Sequence, residues 1–508
     1  MTQENSSFDC VLKVVSPVHL GCGEVYEPTC FTVDEENNEM TVFDPISFIA
    51  DMEEEERLAF SGICRKGTVE SILELYKFLR NKKPQGRTVA LCNGFVDHYR
   101  KVLDLNPRDK NFSRQLNQFQ IERTAFRPAD QRPYIPGSAI KGALRTAYAN
   151  MAAGVKKTPP DKRRKGSELE KILLEYDLRR TETDPFRMVK VSDFQPAGYV
   201  AAKVVYAVNK KKSPGDKNPR GNAQIMEVIE PGAIFYGRIS VGRDLGESVI
   251  SNPASLEKLL EGAVRFYAGQ NKRELSELTR AGLGGVEVGI DENRVPMRIG
   301  RHSGAECLTI EGHRSIRINT GKKKQDFSLD HATTVWLASE TSNNQYNKGL
   351  RPFGWVQVQP MTGDLEKKIS AFETDFQQDR EIALRRRQEE AERIRAEKEQ
   401  ERIAEERRRQ EQERKEREAA EEQAALEAMT PEDREIYELQ QPGVSEEKIN
   451  IAFKKIDEYS PEGQKAVAAV IKAYWQASNK WVRKDFSQKQ WKAAREKIAK
   501  IQSILGEK

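Results

Sequence analysis

Residues 134–148 read Tyr-Ile-Pro-Gly-Ser-Ala-Ile-Lys-Gly-Ala-Leu-Arg-Thr-Ala-Tyr, a turn feeding a helix whose first turns carry one hydroxyl and two cations. Pro136 and Gly137 break the preceding segment, and Ser138 is placed to cap the free N–H groups of the first turn. Ile140, Ala143, Leu144, Ala147 and Tyr148 recur with the period of one buried helical face. Lys141 and Arg145 fall one turn apart on the other face, where like charges cost an isolated helix about 0.2–0.5 kcal/mol and the helix dipole opposes them too. Local stability does not explain that choice; a bound anion does. Gly137 would let the backbone approach a phosphate, the helix N-terminus would accept it, and Lys141 and Arg145 would neutralise the next one. The alternative is an ordinary amphipathic helix with a solvated basic face.

Other cations fall in two further groups. The stretch 209–222 carries Lys210, Lys211, Lys212, Lys217 and Arg220 and reads as a long hairpin tip lying over a polyanion, unless it serves solubility alone. Arg294, Arg298, Arg301 and His302 sit in a glycine-containing segment where guanidinium groups can clamp phosphate or stack on an unpaired base. The run Lys322–Lys324 carries less information. His19 is a candidate general base, but acid–base cleavage also needs a second positioned group and oxyanion stabilisation, which the sequence does not identify. His19 therefore reads as a packed or ligand-touching residue. His19 and Cys22 have a ligand-like interval without a second pair, so no metal is expected, and Asp193 after a strand reads as a turn or cap. Nothing resembles a nucleotide-binding Gly-Lys-Thr loop, a kinase set or a Ser-His-Asp constellation, and no cofactor is implied.

The elements that must position these residues alternate in type. Residues 8–15, 30–33 and 40–43 read as short strands, 45–80 and 103–123 as mostly helical, and 188–194, 199–208, 223–229 and 234–241 as β-branched strands. A helix over 255–280, a turn at Gly282, Gly284 and Gly285, and strands at 333–337 and 355–358 complete an α+β pattern with mostly antiparallel pairing.

A chain of 508 residues exceeds one compact core, and its formal charge of +5 is unevenly spread. Residues 379–508 hold 29 basic and 29 acidic side chains, so the excess lies on the first three quarters. About two thirds of residues 379–422 are charged. Glu389 precedes Arg393, Glu405 Arg409, Glu411 Lys415 and Glu413 Arg417 by four residues, the pattern of one long helix. Ile382, Leu384, Ile394 and Ile403 keep no seven-residue seam, so a self-supporting rod of about 65 Å is expected in place of a coiled coil. Beyond it, Ser460-Pro461 with Gln464 has the form of a capped helix start, and Trp475, Trp481 and Trp491 supply bulk for a small helical unit. Lys480, Arg483, Lys484, Lys489 and Lys492 interleave with those tryptophans, so that unit contacts either nucleic acid or a protein partner. Six cysteines without a Cys-x-x-Cys pair, and no signal-like or long apolar span, suggest a reduced, cytoplasmic, soluble protein.

The 134–148 segment resembles the signature of the RAMP superfamily of CRISPR-associated RNA-binding proteins. Ser-Pro-Val-His-Leu-Gly-Cys-Gly at 16–23, Arg-Ile-Gly-Arg-His-Ser-Gly-Ala-Glu at 298–306 and Arg-Pro-Phe-Gly-Trp-Val at 351–356 are similar, in that order, to the set found in the fifth Csm subunit of type III-A effector complexes. The similarity covers roughly 8–360 and leaves out the charged rod and the last unit. It implies a ferredoxin-like, RRM-related core with helical insertions over 1–245, a degraded second half over 246–375, a rod over 376–428 and a helical domain over 429–508. It further implies a non-catalytic subunit that caps the 3′ end of the crRNA, contributes to guide maturation, and contacts the adjacent backbone Csm subunit. Gly137, Ser138, Lys141, Arg145, Lys210, Lys211, Lys212, Arg298, Arg301 and His302 are then the expected RNA contacts. Two other readings are a RAMP endoribonuclease using His19 and a scaffold whose C-terminal extension recruits a nuclease or partner.

Overall fold

A computed structural model describes residues 6–159, 166–213, 223–242, 249–291, 293–318, 327–482 and 488–507. Lys217, Arg220, Lys322–Lys324, Arg483 and Lys484 lie outside the described residues. Two compact units divide the chain, Met1–Asp379 and Arg380–Lys508.

The first unit holds two large sheets among helices, a mixed α+β arrangement. One sheet runs Val295–Arg298, Trp355–Pro360, Ser6–Val14, Ile234–Val241, Val189–Val191, with Gln195–Pro196 also against Ile234–Val241, all antiparallel. Its apolar face meets two helices, Gly137–Lys156 and Leu256–Arg280. Leu12, Val14, Phe235, Ile239 and Val358 share one core with Ile140, Leu144 and Ala147 of the first helix and with Leu259, Ala263 and Tyr267 of the second. The apolar spacing at 140, 143, 144, 147 and 148 is that buried face.

The other sheet runs Gly21–Val25, Ile121–Thr124, Gln224–Ile229, Ala202–Lys211, Arg87–Leu91, Glu39–Val42, Phe31–Asp34, and Thr334–Ser339 adds to the far end of Ala202–Lys211. Two of its pairs are parallel, Gln224–Ile229 on Ile121–Thr124 and Arg87–Leu91 on Ala202–Lys211. Its Ala202–Lys211 strand is buried on both faces: Val204, Tyr206 and Val208 enter one core, Val205 and Ala207 another. The reading of 103–123 as mostly helical is corrected here. Helix Asn93–Leu103 ends where that stretch begins, helix Phe112–Asn117 is short, and Ile121–Thr124 is a strand. Strands Ala202–Lys211 and Gln224–Ile229 do form a hairpin, Ala207 opposite Gln224, but its connection begins later than the cation run suggests, since Lys210 and Lys211 belong to the strand and pair in register with Val335 and Thr334.

The charged segment is one helix, Gly363–Ala428, starting earlier than the charge pattern suggests. Of the four expected pairs Glu411–Lys415 forms, while Arg393, Arg409 and Arg417 turn to the glutamates four residues after them. Ile382 and Ile403 are 49% and 42% exposed, and the side chains of Leu384 and Ile394 lie outside the described ones. The second unit has its own core, in which Ile449, Ile456, Val467, Ile471, Trp475 and Ile501 are buried and Trp481 and Trp491 pack against them. Ser460 caps helix Pro461–Ala477 through the Gly463 N–H at 3.1 Å. The reciprocal half of the expected box is absent: Gln464 Nε2 donates to the Tyr459 carbonyl, and Glu432 takes the Ser460 N–H.

Candidate nucleic-acid interface

Three glycine-bearing segments far apart in sequence meet around residues 16–19. The Trp355 N–H donates to Ser16 Oγ, Gly354 N–H to the Pro17 carbonyl, Ile299 N–H to the Gly354 carbonyl and Arg301 N–H to the His19 carbonyl, each at 2.9 Å. Gly300 and Gly354 adopt φ of +79° and +91°, the left-handed region that glycine enters at little cost. A Cβ at Gly300 would lie 2.4 Å from the His19 carbonyl oxygen, and one at Gly354 the same distance from that of Ile299. These two positions let the loops stack.

Arg298 anchors the stack from inside. Its side chain is 3% exposed, its Nε donates to the Phe353 carbonyl at 2.9 Å, and its Nη1 meets Glu274 Oε1 at 2.5 Å. Glu274 also accepts from the Trp355 indole at 2.7 Å. Arg301, three residues on and past the end of that strand, has an exposed guanidinium that pairs with Glu122.

His19 is fully buried, and its Nδ1 lies 2.7 Å from the Glu227 backbone carbonyl. A carbonyl only accepts, so Nδ1 carries the proton and Nε2 is a bare acceptor. Nε2 has no hydrogen bond and lies 3.8 Å from Glu122 Oε2. It borders a polar cleft of about 390 Å³ that includes Arg123, Arg301, Glu122, Gln118 and Gln224. The Arg123 guanidinium lies 3.2 Å from the centre of the Phe126 ring, and its Nε has no partner. His302 stacks on Trp336 at 4.7 Å and 24°, with Nε2 3.0 Å from Gln224 Oε1.

The two imidazoles make a pH prediction. Burial, with Arg301 and His19 alongside, pushes the His302 pKa from 6.5 down to about 3. Burial also lowers that of His19, against the opposing Glu227 carbonyl and Glu122 and with help from Arg301. The unfolded chain then binds protons near pH 6.5 that the folded chain refuses. Stability is whole above that pH and falls as pH drops below it, for His302 by about 1.4 kcal/mol per pH unit until its folded pKa of about 3 is reached, with His19 adding a loss of the same sign. His302→Phe, which keeps an aromatic ring against Trp336, is expected to remove one proton from the slope between pH 6.5 and 5 in urea-melt midpoints. An unaltered slope would mean that His302 is protonated in the fold.

The remaining expected contacts separate into two clusters. At the helix beginning with Gly137, the capping position is Pro136, Ser138 is exposed and makes no cap, and the Gly137 N–H donates to Asp193 Oδ1 at 2.8 Å. Gly137 is buried, and a Cβ there would lie 2.4 and 2.6 Å from the carbonyls of Val191 and Ser192; its smallness serves packing on that strand. Arg145 meets Asp184 at 2.9 Å and Glu170 at 3.0 Å, the anions its spacing seemed to require. Lys141 is half-buried and has no ion pair among the described residues. Burial lowers its pKa, as do Lys190 and Arg145, while Asp184 works the other way.

In the second cluster, Lys210 is fully buried and donates to the Tyr346 carbonyl at 3.0 Å, to Asn347 Oδ1 at 2.8 Å and to the Asn344 carbonyl. Lys212 bridges Glu306 at 2.7 Å and Glu277 at 2.8 Å, and Lys211 is half-buried.

A family model described as the RAMP superfamily matches residues 11–288, more than half of the chain. The chain belongs to the RAMP superfamily. Among solved structures, a chain of the cryo-EM structure of a Csm-crRNA-target RNA ternary complex in a type III-A CRISPR-Cas system aligns with 71% of this RAMP chain and 100% of its own, at 22% identity and a TM-score of 0.43. The crystal structure of T. onnurineus Csm5 aligns with 68% of this chain and 99% of its own, at 20% identity and a TM-score of 0.38. No curated protein matches the sequence.

Sequence reasoning missed the side of the cleft formed by Gln118, Glu122, Arg123 and Gln224. The available signal was Ile121-Glu-Arg-Thr124, two β-branched residues around a charged pair, too short to stand out from the helical segment before it.

Proposed function

We propose that this RAMP protein is a guide-RNA-binding subunit of a type III-A CRISPR effector complex, seated at the 3′ end of the crRNA and acting by binding, not cutting. The supporting observation is the meeting of residues 16–19, 299–301 and 354–355 beside a polar cleft, because these are the segments on which the Csm resemblance rests. A subunit that holds any spacer sequence draws its affinity from phosphate contacts. We assign those to Arg301 and Arg123 at the cleft and to Lys141, Ser138 and the neighbouring Lys190 at the Gly137 helix. Arg298, Lys210, Lys212 and Arg145 are matched by partners within the protein and shape the surfaces that present the others.

Fluorescence anisotropy of the full chain with labelled single-stranded repeat RNA, over a salt series, tests this. Lys141→Ala with Arg301→Ala is expected to weaken binding and to flatten the log–log salt slope by about 1.4, since each phosphate on a single strand that is no longer neutralised takes away about 0.7. An unchanged slope removes both residues from the interface. Incubation of the same RNA without divalent metal checks the other half: a specific cut that His19→Ala abolishes would make the chain an endoribonuclease.

A further inference from the structure

The imidazole of His19 is a buried polar group at the cleft whose inner nitrogen is committed while its outer nitrogen is unused. Nδ1 is committed to the Glu227 carbonyl, and the strand carrying that carbonyl is held in turn by the buried Glu227 carboxylate. That carboxylate accepts from Tyr26 Oη at 2.8 Å, from the Thr124 N–H at 3.2 Å and from Arg87 at 2.5 Å. A turn of the ring would break the Nδ1 bond to a carbonyl whose residue this set holds in place, so Nε2 stays a pure acceptor at the cleft wall. Glu122 stands 3.8 Å from it and pairs with Arg301, and the side chains of that pair are 27% and 42% exposed. An exposed pair of that kind is worth about 0–1 kcal/mol, so a ligand displaces it at little cost. Two arginines, two glutamates and several amides leave the cleft without strong net charge, which suits an uncharged, polyfunctional group flanked by anions. Its volume of about 390 Å³ admits one small ligand and no duplex.

We propose that the cleft takes one unpaired ribonucleoside, whose 2′-hydroxyl donates a hydrogen bond to His19 Nε2 while its phosphate draws Arg301 away from Glu122. This rests on the RNA-binding reading above and adds to it a means of telling RNA from DNA. The 2′-hydroxyl is the donor that accompanies every nucleotide of RNA and no nucleotide of DNA, so a guide of any sequence supplies it.

Gly21 offers a variant that tests Nε2 without disturbing Nδ1. A Cβ at this exposed strand position would lie 3.5 Å from Nε2 and 3.9 Å from Cδ2, an ordinary contact, and its φ is not left-handed. Gly21→Val therefore fills the space before the nitrogen. The experiment measures affinities of the full chain, wild type and Gly21→Val, for one single-stranded sequence as RNA, as DNA and as 2′-O-methyl RNA. Wild type should prefer RNA to both others by about tenfold, the loss expected when one hydrogen bond to a buried acceptor goes unmade. Gly21→Val should bring RNA down toward the DNA level, with a clearly smaller loss for DNA and the salt slope unchanged, whereas Arg301→Ala should weaken all three ligands. Equal wild-type affinities for RNA and DNA, or equal losses for both in Gly21→Val, would overturn the sugar contact while leaving RNA binding in place. Absence of binding to every ligand would remove the RNA-binding reading and this inference with it. RNA cleaved to 2′,3′-cyclic phosphate ends by wild type but not by Gly21→Val would make His19 a base and overturn its role as a reader.

Discussion

Arg298→Ala is expected to destabilise the first unit by about 3–5 kcal/mol, the cost of removing one partner from a buried ion pair. The Glu274 carboxylate would keep the Trp355 indole N–H but lose its cation in a site that excludes water, and the Phe353 carbonyl would lose its donor. Replacing both charges, Arg298→Met with Glu274→Met, should recover most of that loss, because a buried pair exchanged for apolar groups of similar volume is often near neutral. The indole N–H, then without an acceptor, keeps the recovery incomplete. Urea unfolding of the three variants gives the free energies, and RNA affinity of the folded fraction gives the second readout. A side chain 3% exposed does not reach a phosphate in this fold, so Arg298→Ala should bind RNA nearly as wild type does below its unfolding transition. If stability were intact and RNA binding abolished, the guanidinium would be an RNA contact and the anchor described for it would be wrong.

Arg298 and Arg301 show where sequence reading stops. Both lie in one glycine-bearing segment, and residue type and spacing treat them alike. Three residues separate a guanidinium locked onto Glu274 from one at the cleft rim, and the difference is made by a helix residue 24 positions upstream. Lys210 repeats the case, since its acceptors come from residues 344–347, brought alongside when Thr334–Ser339 pairs with its strand. At the Gly137 helix the like charges did signal an anion, but Asp184 and Glu170 supply it to Arg145, which leaves Lys141 as the cation with no internal match among the described residues. Cation spacing therefore located charged clusters and could not say which charges were already satisfied.

Local pattern read the elements better than the site. The strand Ile234–Val241 and the helix Leu256–Arg280 follow from β-branched runs and apolar period, because a buried face leaves its period in any chain that folds this way. Ile121–Thr124 was illegible for the opposite reason: four residues carry too little period, and the strand exists through its pairing with two others about a hundred residues away on either side, Gln224–Ile229 and Gly21–Val25. The cleft beside His19 depends on that pairing, since Glu122 and Arg123 come from one strand and Gln224 from the other.

The same dependence on long-range contact makes Gly300 a position where a single methyl group should do marked harm. Gly300→Ala forces an L-residue to hold φ +79°, at about 1–2 kcal/mol, and drives its Cβ to 2.4 Å from the His19 carbonyl, an overlap of backbone with methyl that adds about 1–3 kcal/mol. That carbonyl accepts the Arg301 N–H, so relief of the overlap moves both sides of the cleft together. Gly349→Ala separates the two costs: Gly349 has φ +66° and nothing within 4 Å of a Cβ, so it should show the conformational cost alone. Urea midpoints are expected to place Gly300→Ala well below Gly349→Ala, and RNA affinity to fall in the first and hold in the second. Equal midpoints would mean that the loop of residues 299–303 does not press on the His19 turn, and the fixed imidazole on which the sugar contact relies would lose its support.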